Sequence, residues 1–215
     1  MQSEIDFDEN FAAIHAYLCA DGYVVRNPPS QKVKYYRAGL RNTCQELLLD
    51  FQSRFENVFG VAPRITGEWD RSEKGSKEIY YYLTNRFGSF YSADWSAPKF
   101  TSKKTAAVWL RAFFDCEGWV TCKGRQSRLI AMDSINHNGL EQIKVTLLNF
   151  FGISSQIRPR KGRKTGTLFI FGKENLIRYE KDIGFLHPKK ARRLKDAIDS
   201  FVSYALEFPT DKTEL

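Results

Sequence analysis

Two stretches of the 215-residue chain end an apolar run with an acid and a glycine, Asp21-Gly22 and, 96 positions later, Glu117-Gly118. An acid at a helix C-terminus faces the negative pole of the macrodipole, which disfavours it by roughly 0.3 to 1 kcal/mol, so a positive group is expected nearby. Glycine just past a last turn is the usual left-handed cap. Ala16 and Ala20 are four apart and share one helix face, Ala112 and Cys116 repeat the arrangement, and small residues there let two helix axes approach closely. If these faces meet, Asp21 and Glu117 emerge side by side. Two bare carboxylates about 4 Å apart repel by roughly 4 kcal/mol at an effective dielectric near 20. A hard divalent cation removes that cost, and Mg²⁺ takes one or two carboxylates and completes its shell with water and phosphate oxygens. The spacing predicts phosphate chemistry.

The repeat extends beyond the acids. Aligning Asp21 with Glu117 also aligns Ala16 with Ala112, Tyr17 with Phe113, Leu18 with Phe114, Ala20 with Cys116, Tyr23 with Trp119 and Val24 with Val120. In the first half, Asp8 or Asn10 caps a helix running to Asp21. Alternation then predicts strands at 23–26 and 32–41, broken by Asn27-Pro28-Pro29-Ser30, and helical spacing predicts a helix over 42–58 ended by Gly60. Strands at 62–66 and 79–84 flank a charged turn over 67–77, and a short helix lies near 86–91. The second half reads as strands at 119–123 and 129–134, a helix over 140–151, strands at 155–159 and 167–171 around a basic turn, a helix over 175–183 and a closing helix over about 190–206. Each half is therefore αββαββα. The expected fold is α+β, a pseudo-twofold pair of repeats with two antiparallel sheets around a central helix pair. The expected organisation is a loose N-terminus (1–8), a first repeat (9–98), a second repeat (99–208) and a polar tail (209–215).

Composition is that of an ordinary globular protein, 42% hydrophobic and 14% aromatic. Net charge is +8, which favours polyanionic partners such as nucleic acid. Residues 158–195 hold 13 Lys and Arg against 3 Asp and Glu, leaving 20 basic against 22 acidic residues elsewhere, so the positive field is expected in one part of the fold. The four cysteines lack CxxC spacing, and His15, His137 and His187 share no metal-ligand spacing, which argues against zinc and for His15 in packing or at the surface. With no signal-peptide core and no apolar run of membrane-spanning length, the expectation is a soluble, intracellular protein without a membrane partner.

Acid-Gly closing an apolar helix, present twice at domain spacing, resembles the motif of the LAGLIDADG homing endonucleases in their two-motif, single-chain form. The literal letters are poorly kept. The resemblance implies a monomeric, Mg²⁺-dependent enzyme that makes a staggered double-strand cut with 3′ overhangs in a long duplex target, asymmetric because the halves differ. Mn²⁺ or Ca²⁺ is expected to occupy the same sites. Asp21 and Glu117 are then the metal ligands, aided by the backbone carbonyls of Ala20 and Cys116. Lys99 and Lys189, which follow matching prolines, resemble the basic residues at the edge of the family's active site. Where many relatives carry Gln or Lys after the second strand, this chain has Asn42 and Asn136, which orient water but supply no charge.

For DNA contact, strand alternation counted from the two acids selects Val25 and Asn27 in the first half and Thr121, Lys123 and Arg125 in the second. Arg64, Arg158 and Arg160 lie on or beside the third strands. Lys161, Arg163 and Lys164, on the basic turn, suit phosphates better than bases. Two rival readings use the same scaffold: a maturase that helps intron RNA fold, and a non-cleaving DNA-binding regulator. The chain shows no splicing-domain motifs, which argues against an intein origin.

Overall fold

A computed structural model describes residues 6–123 and 127–207, with side chains to residue 201. The first half comprises α1 (Glu9–Cys19), β1 (Gly22–Arg26), β2 (Tyr36–Arg41), α2 (Gln45–Phe59), β3 (Arg64–Ile65), β4 (Arg71–Gly75) and α3 (Lys77–Phe87). The second comprises α4 (Lys103–Glu117), β5 (Gly118–Lys123), β6 (Ser127–Ser134), α5 (His137–Phe151), β7 (Gln156–Pro159), β8 (Gly166–Phe171) and α6 (Lys173–Asp182), followed by α7 (Pro188–Glu207). The strands form two four-stranded antiparallel sheets, ordered β1-β2-β4-β3 and β5-β6-β8-β7. The same order twice is the expected pseudo-twofold α+β architecture, with α7 added after the second αββαββα unit.

The central element is the pair α1 and α4. Asp8 Oδ1 caps α1 by accepting from Phe11 N at 2.8 Å, and Ser102 Oγ caps α4 by accepting from Thr105 N at 3.1 Å. Every residue from Phe11 to Cys19 is buried, the pattern of a helix surrounded by protein. The two helices make the most extensive helix–helix contact among the described residues, and Ala13, Ala16, Ala106 and Ala112 are all buried. Across the seam, Trp109 Nε1 donates to His15 Nδ1 at 3.0 Å, and the His15 ring packs 4.5 Å from that of Phe87. His15 is therefore a core acceptor. Burial pushes its pKa down to about 3, so it is neutral and can accept.

The acid-Gly pairs work through close approach. Gly118 has φ −82° and ψ 159°, extended rather than left-handed, which corrects the expectation of an αL cap. A Cβ on Gly118 would sit 2.7 Å from Phe114 O, and one on Gly22 would sit 2.5 Å from Leu18 Cα. Glycine lets each strand leave hard against the last helical turn, fixing where the preceding acid points. The left-handed caps are instead Gly60 (φ 68°) and Gly152 (φ 62°), which end α2 and α5.

Several expected elements are corrected. Residues 79–84 are not a strand: Ser76 Oγ accepts from Ile79 N at 3.2 Å and starts α3, whose Ile79, Tyr82, Leu83 and Phe87 recur at helical spacing. The fourth strand lies in the expected charged turn, as Arg71–Gly75 paired to β2. Its composition carries no strand signal, so pairing decides its conformation. The short helix near 86–91 is absent, because α3 ends at Gly88 (φ 74°). β2 starts at Tyr36 rather than residue 32, since Asn27 staples the preceding loop: its Nδ2 donates to Gln31 Oε1 at 3.0 Å and to Val33 O, and its Oδ1 accepts from Tyr35 N at 2.9 Å. Nor are residues 1–8 loose throughout. The Phe7 ring packs 5.6 Å from Phe11 and 5.9 Å from Phe87; residues 1–5 and the tail over 209–215 lie outside the described residues.

The seam carries a pH prediction. A buried histidine whose folded pKa is depressed contributes stability that is complete above its unfolded value near 6.5 and is lost as pH falls toward about 3. Between pH 7 and pH 4 the wild type is expected to lose about 3 kcal/mol more stability than His15→Gln, which retains an acceptor without the titration. Urea unfolding at the two pH values measures the difference.

Candidate active site and nucleic-acid interface

α1 and α4 end at the same place. Glu117 is the last residue of α4, and Asp21 follows the Ala20 cap of α1. Burial, with the neighbouring Asp21 charge and then that of Asp133, pushes the Glu117 carboxyl up to about 7, while Lys190 opposes the shift. The Cys116 thiol is likewise pushed up by burial and by Asp21. The two acids therefore lie within electrostatic reach across the seam.

The positive group demanded by the helix end is Lys190. Its Nζ, on the first turn of α7, donates to the carbonyls of Phe114 (3.0 Å), Asp115 (2.5 Å) and Cys116 (3.2 Å), capping α4. Burial lowers its pKa, against the pull of Cys116, Asp115, Asp21 and Glu117. Asp115 holds this lysine in place: its buried Oδ1 and Oδ2 accept from His187 N and Leu186 N, each at 3.0 Å, tying the start of α7 to α4. Burial raises the Asp115 carboxyl to about 6. Lys190 and Asp115 escaped the sequence reading. The signals available were an acid inside an apolar helix and a second lysine beside Lys189.

Lys189 instead lines a depression with Thr43, Cys44, Glu46 and His187. Lys99 lines another with Phe100, Glu141 and Gln142. The first depression lies at the N-terminal end of α2, and the second runs along α5 from Glu141 to Phe150.

The two asparagines part company. Asn42 Nδ2 donates to Asp21 Oδ2 at 2.7 Å, and its Oδ1 accepts from Cys44 N at 2.8 Å. Asn136 is instead the buried N-cap of α5, accepting from Gly139 N at 2.8 Å and donating to Trp95 O at 2.7 Å, so both ends of its amide are engaged away from Glu117. Register explains the difference. Gly22 pairs with Leu40 and Gly118 with Met132, which makes Arg41 the equivalent of Asp133 and Asn42 that of Ser134.

Among the described residues no three His, Cys, Asp or Glu side chains converge as a ready-made metal cage. Two carboxylates, one of them destabilised as an anion by its neighbours, suit a hard divalent cation that takes its remaining oxygens from backbone, water and phosphate. The Ala20 and Cys116 carbonyls stand at the two helix ends, the latter shared with Lys190.

The open faces of the sheets carry the other candidates. Val25 is 41% exposed there, and Arg64 lies opposite Glu73. Thr121 pairs with Leu129, and the exposed Lys123 with Ser127. Arg158 Nη2 donates to Gln156 Oε1 at 2.9 Å, and Arg160 pairs with Asp133 at 2.8 Å. Lys161, Arg163 and Lys164 are exposed on the β7–β8 turn, while Arg125 lies outside the described residues. Asn27 is not available to DNA, because its side chain is buried in the loop it staples. Sequence reasoning missed Arg37, Arg41 and Arg71, which share the open face of the first sheet with Arg64. That corrects the expected charge distribution, since a dense cationic face lies outside 158–195.

A family model described as a LAGLIDADG-like domain matches residues 8–91 and 104–184, most of the chain and both halves. The chain belongs to this LAGLIDADG-like family. Its fold is similar to that of the homing endonuclease I-DmoI: 17% identity and a TM-score of 0.62 to the complex with DNA and Ca, covering 87% of this chain and 99% of that one. The complex of I-DmoI with DNA and Mn gives 15% identity and a TM-score of 0.60, covering 83% and 97%. Full-length DUF199/WhiA from Thermatoga maritima gives 15% identity and a TM-score of 0.58, over 93% of this chain and 61% of that one. A segment is 35% identical over 86 residues to the replication factor C small subunit of Thermococcus kodakarensis, 39% of this LAGLIDADG chain but only 9% of the length of that relative. No helix among the described residues is long and apolar enough to cross a membrane.

The raised Glu117 carboxyl sets a second prediction. A carboxyl whose folded pKa lies near 7, above the usual 4.5, leaves stability intact at low pH and loses it as pH rises from about 4.5 through 7. Without divalent ions, Glu117→Gln is expected to stabilise the protein by on the order of 2 kcal/mol more at pH 8 than at pH 5. Mg²⁺ added to the wild type at pH 8 should recover much of the same gain, read as a shift in thermal midpoint.

Proposed function

We propose that this protein is a monomeric, divalent-cation-dependent, site-specific endonuclease that makes a staggered double-strand cut in duplex DNA. The reading is supported above all by Asp21 and Glu117, one from each half, standing at the ends of the packed pair α1 and α4 within electrostatic reach of one another. Family membership and the likeness to I-DmoI support it. Mg²⁺ is the expected cation, with Mn²⁺ or Ca²⁺ able to bind. Held by Asp21 and Glu117 with the Ala20 and Cys116 carbonyls, it would activate water and neutralise charge on the scissile phosphate.

The chain's own groups do the rest. Asn42 orients the Asp21 carboxylate through its 2.7 Å bond, which engages one of the two carboxylate oxygens. Lys190, rather than Lys189, places a positive charge beside both acids, where it offsets negative charge building up on the phosphate. Lys99 is the basic residue expected in the first half. Val25, Arg64, Thr121, Lys123, Arg158 and Arg160 contact the major groove, while Lys161, Arg163 and Lys164 contact phosphates.

Cleavage of a duplex selected from a random library tests this. Asp21→Asn and Glu117→Gln are each expected to lower the rate in Mg²⁺ by at least about a hundredfold with binding retained, a loss of roughly 3 kcal/mol of transition-state stabilisation. Lys190→Met should cost at least tenfold and Lys189→Met little. Wild-type rates in both acid variants would sink the assignment. Binding without cutting by the wild type would point to a regulator, and splicing of an intron RNA unaffected by these changes to a maturase.

A further inference from the structure

The registers put the two sheets in one-to-one correspondence. From the equivalences of Leu40 with Met132 and Ser72 with Leu168, Arg37 corresponds to Leu129, Arg64 to Gln156, Glu73 to Phe169 and Gly75 to Phe171. All lie on the open face, because the alternate positions Ala38, Leu40, Ile130, Met132, Leu168 and Ile170 are buried in the core. Arg37 thus gives way to Leu129 and Arg64 to the uncharged Gln156, while Phe169 and Phe171 stand where the first sheet has Glu73 and Gly75.

In the first sheet, Arg37 is held ready. Its Nη1 lies 3.3 Å from Glu73 Oε1, its guanidinium sits 4.4 Å from the Tyr35 ring centroid, and Tyr23 Oη fixes Glu73 by donating to Oε2 at 2.6 Å. Arg64 stands opposite Glu73 on the neighbouring strand. Arg41 and Arg71 are direct cross-strand partners, a like-charge pairing that weakens a free sheet and is relieved by a polyanion. In the second sheet Thr121, Leu129 and Phe171 form one cross-strand row, and Phe171 is 41% exposed. Phe169 stands one row inward with the Arg158 guanidinium 5.6 Å from its ring centroid.

We infer that the two half-sites are read by different chemistry, guanine by Arg37 and Arg64 of the first sheet and the thymine 5-methyl by Leu129, Phe169 and Phe171 of the second. The inference rests on the endonuclease reading in that duplex DNA must lie on both open faces. Arginine matches the paired acceptors O6 and N7 of guanine, whereas the thymine methyl is the apolar group that the major groove offers. Lys123 and Arg158 flank the apolar row in the same groove, and Lys161, Arg163 and Lys164 on the β7–β8 turn supply the phosphate contacts that set register without choosing a base. Arg37, already oriented by Glu73 and Tyr35, has less freedom to lose on docking than an unsupported arginine.

The test takes the whole chain with Ca²⁺, selects a site from a random duplex library, and remakes it with 7-deazaguanine for guanine or deoxyuridine for thymine, one half-site at a time. Arg37→Leu and Leu129→Arg identify which half-site lies under each sheet, by the positions where each changes preference. Loss of guanine N7 in the half-site altered by Arg37→Leu is expected to weaken binding roughly tenfold or more. Deoxyuridine should weaken binding several-fold in the half-site altered by Leu129→Arg and leave the other unchanged. Equal responses in both half-sites, or no response to deoxyuridine under the second sheet, would overturn the inference while leaving DNA binding intact. A library yielding no enriched sequence would instead refute site-specific DNA recognition, and this inference with it.

Discussion

The structure depends on the approach of α1 and α4. Small side chains bring the axes together, and the Trp109–His15 bond joins them through a buried polar contact across the seam. Because both helices end at the seam, the Asp21 charge reaches Glu117, whose anion burial already disfavours. The chain thus spends packing stability on holding two like charges together, an arrangement that makes sense once a cation and a phosphate are counted as part of the site.

Around that pair the halves repeat in strand order and register but not in charge. Asp21 is held by Asn42, whereas Glu117 feels Asp133 and Lys190, and the equivalent of Asp133 in the first half is Arg41. Asp133 is itself engaged, accepting from Thr167 Oγ1 at 2.5 Å and pairing with Arg160. The two sides of the seam therefore differ chemically despite a common backbone, as do the two open faces beyond it.

Much of this was legible in the sequence, and the exceptions have physical causes. The repeat and the acid pair were visible because helix-period patterning and acid-Gly recur in register. The fourth strand was hidden because Arg71 to Gly75 has no apolar alternation and is a strand only by virtue of its partner, and with it went Arg71 as a face residue. Arg37 and Arg41, though on a strand read correctly at its far end, were passed over in favour of a count outward from the acids. Asn27 and Asn136 were misassigned because side-chain amides that bond to local backbone leave no mark in a one-dimensional pattern. Between Lys189 and Lys190, only the rotation of α7 decides which ammonium meets the end of α4.

Lys190 lies far along the chain from the helix it completes. During synthesis α1, α4 and both acids emerge first, and the end of α4 keeps its carbonyls without their ammonium partner until α7 has been made and Asp115 has gripped the backbone at Leu186 and His187. Assembly of the centre therefore waits for α7, so a nascent chain carries both carboxylates before it acquires the charge that balances them.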